Sequence, residues 1–464
     1  MMMREPDKAL RRKGRGGLSI ALLLLLGWVG LSFAERAPST SPPLLLEAIA
    51  IEGNTRTPRE TVYHYLPLRP GQSVSPEEIV VAVEKLRGSG LFEEVDYSSR
   101  PGSKRGTIVL LLDVTEWGVD FRFGAGYQDL SGWYLIPAEL RFDNRLGRGE
   151  RTRLHARLGH RLAGVAFLFE EPRFGDGRNH WGFSLSGFGN NRIYYVDGIE
   201  YRHALSRASF EAHAGRRLTE HLEIELGGCV ESVEVDSFAE AYSESEALGV
   251  DIGDRLEVGD LPAGVAADVG KESRGILRLD WTWDSRGPRL VAGSPASGLW
   301  GRVRTEEIIQ GDHGFPRVTA DLRTYGAFAS TALAARLRAG FAGESAPFHD
   351  RFYVGGLYTV RGFPSQSLSD PSGETKFWSA SVEVRRALIG SKENPRLAGL
   401  LFLEAGDGWN DESPRWSDIA AGAGYGFRLR VPWVGWLGVD VGIPLTDTPA
   451  EESFHGHASI GWTF

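Results

Sequence analysis

Hydrolytic chemistry needs a nucleophile, a base and a group that orients the base. Serine, histidine and aspartate are all present, but residues 118–464 contain no Gly-x-Ser-x-Gly turn of the kind that presents a serine nucleophile. The single cysteine, Cys229, excludes an internal disulfide and reads as a small apolar side chain within a strand. Carboxylates gather between Glu231 and Gly270, at Glu240, Glu244, Glu246, Asp251, Asp254, Glu257 and Asp260, without the Asp-x-Asp-x-Asp-Gly spacing of a calcium loop. This stretch reads as a strand continuation followed by a solvated extracellular loop. No enzymatic activity, catalytic residue, metal or cofactor is expected. One arginine stands apart: Val360-Arg361-Gly362-Phe363 follows closely on Phe352-Tyr353-Val354-Gly355-Gly356. Taken alone these residues fit any loop, so the elements that would carry them decide their meaning.

The first 34 residues are set apart from the fold by their pattern. Arg11, Arg12, Lys13 and Arg15 precede an apolar run, Ile20–Leu26, and Ser32-Phe33-Ala34 offers small residues where a signal peptidase reads. The run is shorter than the roughly 20 residues of a membrane-spanning helix, so residues 1–34 are expected to be a cleaved secretory signal. The chain carries 52 Lys and Arg against 61 Asp and Glu. Six basic and two acidic residues lie in the signal, leaving 46 against 59, a net charge of −13. That balance argues against a nucleic-acid partner. The 59 glycines and 11% aromatic residues fit many turns and interfacial aromatic girdles.

Residues 44–116 read as one small mixed unit. Leu45, Ile49 and Ile51 alternate before a Gly53-Asn54 turn, which predicts a strand. Thr57-Pro58-Arg59-Glu60 and Ser75-Pro76-Glu77-Glu78 each place a cap residue, a proline and a glutamate as a capping box requires. Ile79, Ala82, Val83 and Leu86 then recur at helical spacing until Gly88 and Gly90. Val95 and Tyr97, and then Thr107–Thr115, supply two further strands around Pro101-Gly102. The predicted order is β-α-α-β-β, with two helices on one face of a three-stranded sheet and an edge strand left available.

From Trp117 onward the period becomes two. Val119, Phe121, Phe123, Ala125 and Tyr127 share a face opposite Asp120, Arg122 and Gln128. Leu154, Ala156 and Leu158 oppose Arg153, His155 and Arg157. Leu277, Leu279, Trp281 and Trp283 oppose Arg278, Asp280 and Thr282. Phe454, Ala458, Ile460, Trp462 and Phe464 oppose His455, His457, Ser459 and Thr463. Charges deep within strands suit a hydrated lumen better than the core of a soluble sandwich. Residues 118–464, at about 22 per strand and connection, allow roughly 16 strands. The expected fold is therefore mainly β: a transmembrane antiparallel barrel of about 16 strands, preceded by the small α+β domain.

The N-terminal unit, with Glu52-Gly53-Asn54 after its first strand and Gly90-Leu91-Phe92 after its second helix, resembles a polypeptide-transport-associated (POTRA) domain. The remainder resembles the BamA/TamA outer-membrane assembly superfamily, also called the bacterial surface antigen family. Val360-Arg361-Gly362-Phe363 is similar to that family's loop motif. Phe402-Leu403-Glu404-Ala405-Gly406 is similar to its Phe-x-Asp-x-Gly strand motif, with Glu404 in place of aspartate. Asn144–Gly149, Phe169–Phe174, Asp284-Ser285-Arg286 with Pro295–Gly298, Gly422–Gly426 and Val431-Pro432 resemble further family segments in the same order. The resemblance implies that the loop folds back into the barrel and that Arg361 meets Glu404 or Asp407. An arginine in a narrow lumen is costly without such a carboxylate, and its planar fork suits one.

The family also implies a location in the bacterial outer membrane with the N-terminal domain in the periplasm. Expected partners are unfolded outer-membrane or secreted client proteins, outer-membrane lipid, and accessory periplasmic proteins or lipoproteins. The expected role is insertion or translocation of clients. The terminal strand, with Ile460, Trp462 and Phe464, resembles the signal by which outer-membrane proteins are themselves recognised for insertion. The first and last strands must meet to close the barrel, and Gly124, Gly126, Gly456 and Gly461 would weaken that seam, so that an opened edge could template an incoming strand. A dedicated two-partner-type secretion pore and a passive porin are the alternatives. The first usually carries two periplasmic domains, where this chain has room for one. The second needs neither the domain nor an arginine latch.

Overall fold

A computed structural model describes residues 44–464 except 129–131, 160–161, 175–176, 243–254, 312, 411–417, 433–434 and 448–452. The expected signal, residues 1–34, lies outside the described residues. The N-terminal unit runs β1 (Leu44–Glu52), α1 (Arg59–Tyr65), β2 (Ser73–Val74), α2 (Pro76–Gly88), β3 (Glu94–Pro101) and β4 (Thr107–Thr115). The sheet order is β2-β1-β4-β3, with β1 parallel to β4 and β3 antiparallel to it. It thus has four strands where three were predicted. The extra one, β2, is only two residues long, too short to leave a period in the sequence. Val62, Tyr65, Ile79, Val83 and Leu86 from the helices bury against Leu46, Ile49, Ile51, Leu110 and Leu112 of the sheet.

The two predicted capping boxes fare differently. Ser75 and Glu78 form theirs: the Glu78 carboxylate accepts from the Ser75 amide at 2.7 Å, and the Ser75 hydroxyl accepts from the Glu78 amide at 3.2 Å. Thr57 forms none, and α1 starts after Pro58 without a side-chain cap. Its hydroxyl is engaged elsewhere, donating to Glu116 at 2.8 Å and accepting from Asn144 Nδ2 at 2.7 Å. Tertiary hydrogen bonds have outcompeted a local cap.

Those bonds belong to a dock between the domain and the barrel. Glu116 accepts from the hydroxyl of Thr55, the amides of Arg56 and Thr57, and the Arg56 guanidinium. Trp117 Nε1 donates to the Gly90 carbonyl at 2.8 Å, and Asn144 Nδ2 to the Leu91 carbonyl at 3.1 Å. Asn144 lies in the connection between the barrel strands Gly132–Arg141 and Arg151–Gly159, where a Cβ on Gly147 would stand 2.4 Å from the Arg56 carbonyl oxygen. Arg56 and Thr57, just beyond the Glu52-Gly53-Asn54 turn, and Leu91 of the Gly90-Leu91-Phe92 loop thus face the barrel.

Sixteen antiparallel strands close that barrel. They are β5 (Asp120–Gln128), β6 (Gly132–Arg141), β7 (Arg151–Gly159), β8 (Leu162–Phe174), β9 (Asn179–Val196), β10 (Ile199–Arg217), β11 (Leu222–Ala241) and β12 (Gly270–Asp284). Then follow β13 (Ser297–Gln310), β14 (His313–Phe328), β15 (Thr331–Ala342), β16 (Lys376–Gly390), β17 (Pro395–Trp409), β18 (Ala420–Val431), β19 (Gly435–Pro444) and β20 (His455–Ile460). Large apolar side chains face outward: Phe121, Leu154, Leu158, Val230, Leu277, Leu401, Phe427 and Val439 are all exposed. Charged ones are buried inside, among them Arg274, Asp280, Glu383, Arg385, Arg428 and Asp440. A soluble protein sorts its side chains the other way, so the outside is a lipid-facing surface.

Of the acidic stretch after β11, residues 243–254, with Glu244, Glu246, Asp251 and Asp254, lie outside the described residues; the part that follows them is packed on the barrel. Arg255–Glu257 pairs with Phe238–Glu240, and a short helix, Ala263–Ala266, follows. Leu261 and Val265 bury with Tyr194, Tyr201, Val233 and Phe348. Two apolar residues among many acids left too faint a pattern to predict this.

Burial pushes the Glu116 carboxyl up, but hydrogen bonds from Thr55, Thr57 and Arg56 outweigh it and bring the group down to about 2 from 4.5. A carboxyl lowered on folding contributes stability above its unfolded value, and the contribution fades as pH falls through the folded one. Glu116→Gln should therefore destabilise the N-terminal domain in the full chain by about 2 kcal/mol at neutral pH. The deficit relative to wild type should shrink between pH 4.5 and about 2, read from the domain's unfolding midpoint.

Candidate functional site: the lumen latch

Residues 343–375 join β15 to β16 and run inside the barrel. Phe352 stacks on Phe377 of β16 with ring centroids 4.6 Å apart, and Val354, Val360 and Phe363 bury in the same cluster. This apolar footing carries Arg361 into the lumen, where it is wholly buried. Gly362 follows at φ +102°, a conformation that L side chains rarely adopt. The wall is shaped to receive this turn: a Cβ on Gly422 would lie 2.0 Å from the Arg361 carbonyl oxygen, and one on Gly442 would lie 2.3 Å from the Gly362 nitrogen.

Three carboxylates meet the Arg361 guanidinium. One terminal nitrogen donates to Glu383 at 2.5 Å and Glu404 at 2.6 Å, and the other to Asp440 at 2.9 Å. The Arg361 amide donates to the second Glu404 oxygen at 2.7 Å. Phe402, two residues before Glu404 and so on the same face, lies under the guanidinium with its ring centre 3.6 Å away. Glu383 also receives Arg385 at 2.7 Å, and Asp440 receives both terminal nitrogens of Arg428 at 2.5 and 2.8 Å. Three guanidinium groups and three carboxylates thus share one buried volume, their charges balanced three against three.

Of the residues singled out in the sequence, Val360, Arg361, Gly362, Phe363, Phe402 and Glu404 converge here. Gly406 lies farther along β17, where a Cβ would come within 3.0 Å of Val360. Asp407 is not among the partners of Arg361: its odd position puts it out of phase with Phe402 and Glu404 on β17. The longer glutamate suffices. Sequence reasoning missed Glu383, Asp440, Arg385, Arg428 and His457. Their signal was available as lone charges in apolar strands, such as Asp440 within Gly435–Pro444.

The loop is held at its other end as well. Asp350 pairs with Arg274 of β12 and with Arg207 of β10, the latter at 3.4 Å. The Phe348 amide donates to Asp268 at 2.7 Å.

The barrel closes between β5 and β20. Gly124 and Gly126 lie in β5 opposite Ile136 and Tyr134, and Gly456 lies in β20 opposite Val441. Gly461 does not belong to that ladder. The terminal strand was expected to run to Phe464, but it ends at Ile460, which still pairs with Leu437. At Gly461, with φ +92°, the backbone turns, and Trp462 and Phe464 leave the strand face assigned to them. The guanidinium of Arg385 stands 4.5 Å from the Trp462 ring and 4.8 Å from that of Phe464, and donates to the Phe464 carbonyl at 2.9 Å. The aromatic ends serve buried cations instead of lipid. The latch reaches the C-terminal segment twice, once on β20 and once beyond it: the Gly362 amide donates to His457 Nε2 at 3.2 Å, and the Thr463 hydroxyl to Glu383 at 3.0 Å.

Removing the charge at Arg361 would leave the three carboxylates crowded and undercompensated. Arg361→Ala should lower unfolding stability by about 3–5 kcal/mol. Arg361→Lys should recover only part of that, because an ammonium cannot span three acceptors as a planar fork does. Denaturant unfolding of the barrel in micelles measures both.

Comparison with known proteins agrees with this geometry. Residues 144–464 match the Omp85 superfamily domain, and residues 45–116 match the POTRA domain described as a surface antigen variable number repeat. Among solved structures, BamA from Haemophilus ducreyi lacking POTRA domains 1-3 superposes with a TM-score of 0.62 at 17% identity, covering 90% of this chain and 84% of that one. CdiB from Acinetobacter baumannii gives 0.55 at 14% identity, covering 90% and 74%, and CdiB from Escherichia coli gives 0.52 at 12%, covering 93% of each. With one POTRA domain ahead of a sixteen-stranded barrel whose loop arginine is latched in the lumen, this chain belongs to the Omp85 superfamily of outer-membrane insertion and translocation proteins.

Proposed function

We propose that this protein inserts client proteins into the outer membrane through a lateral seam between β5 and β20, receiving them at its periplasmic domain. The observation that carries the reading is the state of β20. It has six residues, against 18, 19 and 20 in β9, β10 and β11 on another part of the wall. On the other side of the seam, the β5–β6 and β6–β7 ladders slip register near Gly124 and Ala138. A ladder with few hydrogen bonds opens first, and an opened edge is a template for a new strand. The POTRA domain docks on the turn between β6 and β7, next to that seam, and β3 is an edge strand of its sheet. An extended client segment could add there by main-chain pairing.

The work is strand exchange, with no bond made or broken, so the proposal includes no catalytic residue. The loop that fills the lumen counts against a passive porin. Clients, accessory proteins and lipid would meet the protein from the periplasm and the bilayer.

The test is a seam lock. With Cys229 replaced by serine, one cysteine is placed in β5 and one in β20, and the pair is oxidised in proteoliposomes. Insertion of an unfolded barrel client should fall at least about tenfold and return on reduction, the span of a 1.4 kcal/mol or larger barrier change. Unchanged insertion with the lock closed would remove the seam from the mechanism.

A further inference from the structure

The buried arginines of the latch all have carboxylates, and so do Arg274, Arg278 and Arg304 elsewhere in the lumen. One cavity breaks this rule. It encloses about 190 Å³ between the loop and the wall and is lined by Arg192, Arg338 and Arg351, with Tyr353, Gln366 and Phe377. Among the described residues no carboxylate lines it.

The hydrogen bonds of these three arginines, among the described residues, go to backbone carbonyls. Arg192 donates to His349 at 2.6 Å, Arg338 to Tyr358 at 3.2 Å, and Arg351 to Ala346 at 2.8 Å and Glu344 at 3.0 Å. Arg192 and Arg338 lean on the rings of Tyr353 and Phe377 at 4.8 and 5.4 Å. Among the described residues, Arg192 Nε is buried with no acceptor, and Gln366 Oε1 is buried with no donor. The neighbouring carboxylate Asp350 is already shared by Arg207 and Arg274. Three cations therefore surround one space whose described lining holds no carboxylate; Asp350, Asp321, Asp268 and Glu374 act on them only from beyond that lining, and partial burial makes such crowding of like charge costly.

We propose that this cavity binds a small oxyanion bearing a phosphoryl group. At roughly 30 Å³ per water the space holds about six waters, enough for such an anion with part of its hydration. Guanidinium forks match its oxygens in geometry and charge. The ligand would bridge Arg192 on β9 and Arg338 on β15 to Arg351 on the loop, adding to the single bonds by which the first two hold the loop carbonyls of His349 and Tyr358. Bound anion would thus fasten the loop to the wall independently of Arg361. The phosphoryl group could belong to free phosphate or to a phosphorylated glycolipid head group.

The full-length protein in micelles is titrated with inorganic phosphate, in buffer free of phosphate and sulfate and at constant ionic strength, and its melting temperature is followed. In a second arm, vesicles with and without a monophosphorylated glycolipid replace phosphate. Saturable stabilisation is expected in at least one arm. Phosphate alone would identify a free anion, and glycolipid alone a head group. Arg192→Met and Arg338→Met should each raise the apparent Kd about tenfold or more, while Arg338→Lys should keep most of the affinity. Should either methionine variant fail to fold, broadening of the phosphorus NMR signal of phosphate by the wild-type protein gives the same reading without substitution. No stabilisation or broadening in either arm, or stabilisation unchanged in both methionine variants, would overturn the site.

Discussion

A guanidinium with no exposed surface, placed inside a membrane barrel, needs compensating charge, and Arg361 obtains it from three strands at once. Glu383, Glu404 and Asp440 come from β16, β17 and β19. Arg385 and Arg428 restore neutrality on the other side. Each group is affordable only because the others are in place. The cluster thereby dictates its surroundings. The loop must turn at Gly362, the wall must be bare at Gly422 and Gly442, and an aromatic face must lie beneath the guanidinium at Phe402.

The same cluster governs the end of the chain. A continuous last strand would have completed β20 against β5 and sealed the barrel more firmly. Instead Trp462 and Phe464 lie against Arg385, and Thr463 bonds to Glu383. Bonds that could have reinforced the seam are directed to the latch. Strength is distributed accordingly: long ladders from β9 to β11, a short one at β20. The periplasmic domain is fastened beside the weak side, through Asn144, Thr57 and Glu116. Latch, closing strands and N-terminal domain form one connected path of hydrogen bonds and strands.

Much of this was legible in the sequence because it is local and periodic. Alternation separated the lipid face from the lumen, as Leu277 and Arg278 show, and Ser75 to Glu78 spelled out a cap that forms. The motif around Arg361 and the carboxylate at Glu404 were recognisable through family resemblance. What was hidden is long-range. Nothing near Asp440 announces that it will meet residue 361, and nothing near Thr57 announces that Asn144 and Glu116 will claim its hydroxyl. The alternation of residues 454–464 described a strand correctly as far as Ile460. Beyond it, arginines from distant strands offered Trp462 and Phe464 more than the ladder did, and Gly461 made the turn possible.

The most direct test of the account is depletion of the protein in its own host, followed by quantitative proteomics of the outer membrane. An insertion factor predicts a fall in folded barrel proteins, or in the subset that are its clients, with unfolded precursors accumulating in the periplasm. Outer-membrane barrels left at full abundance, with no precursors in the periplasm, would contradict it.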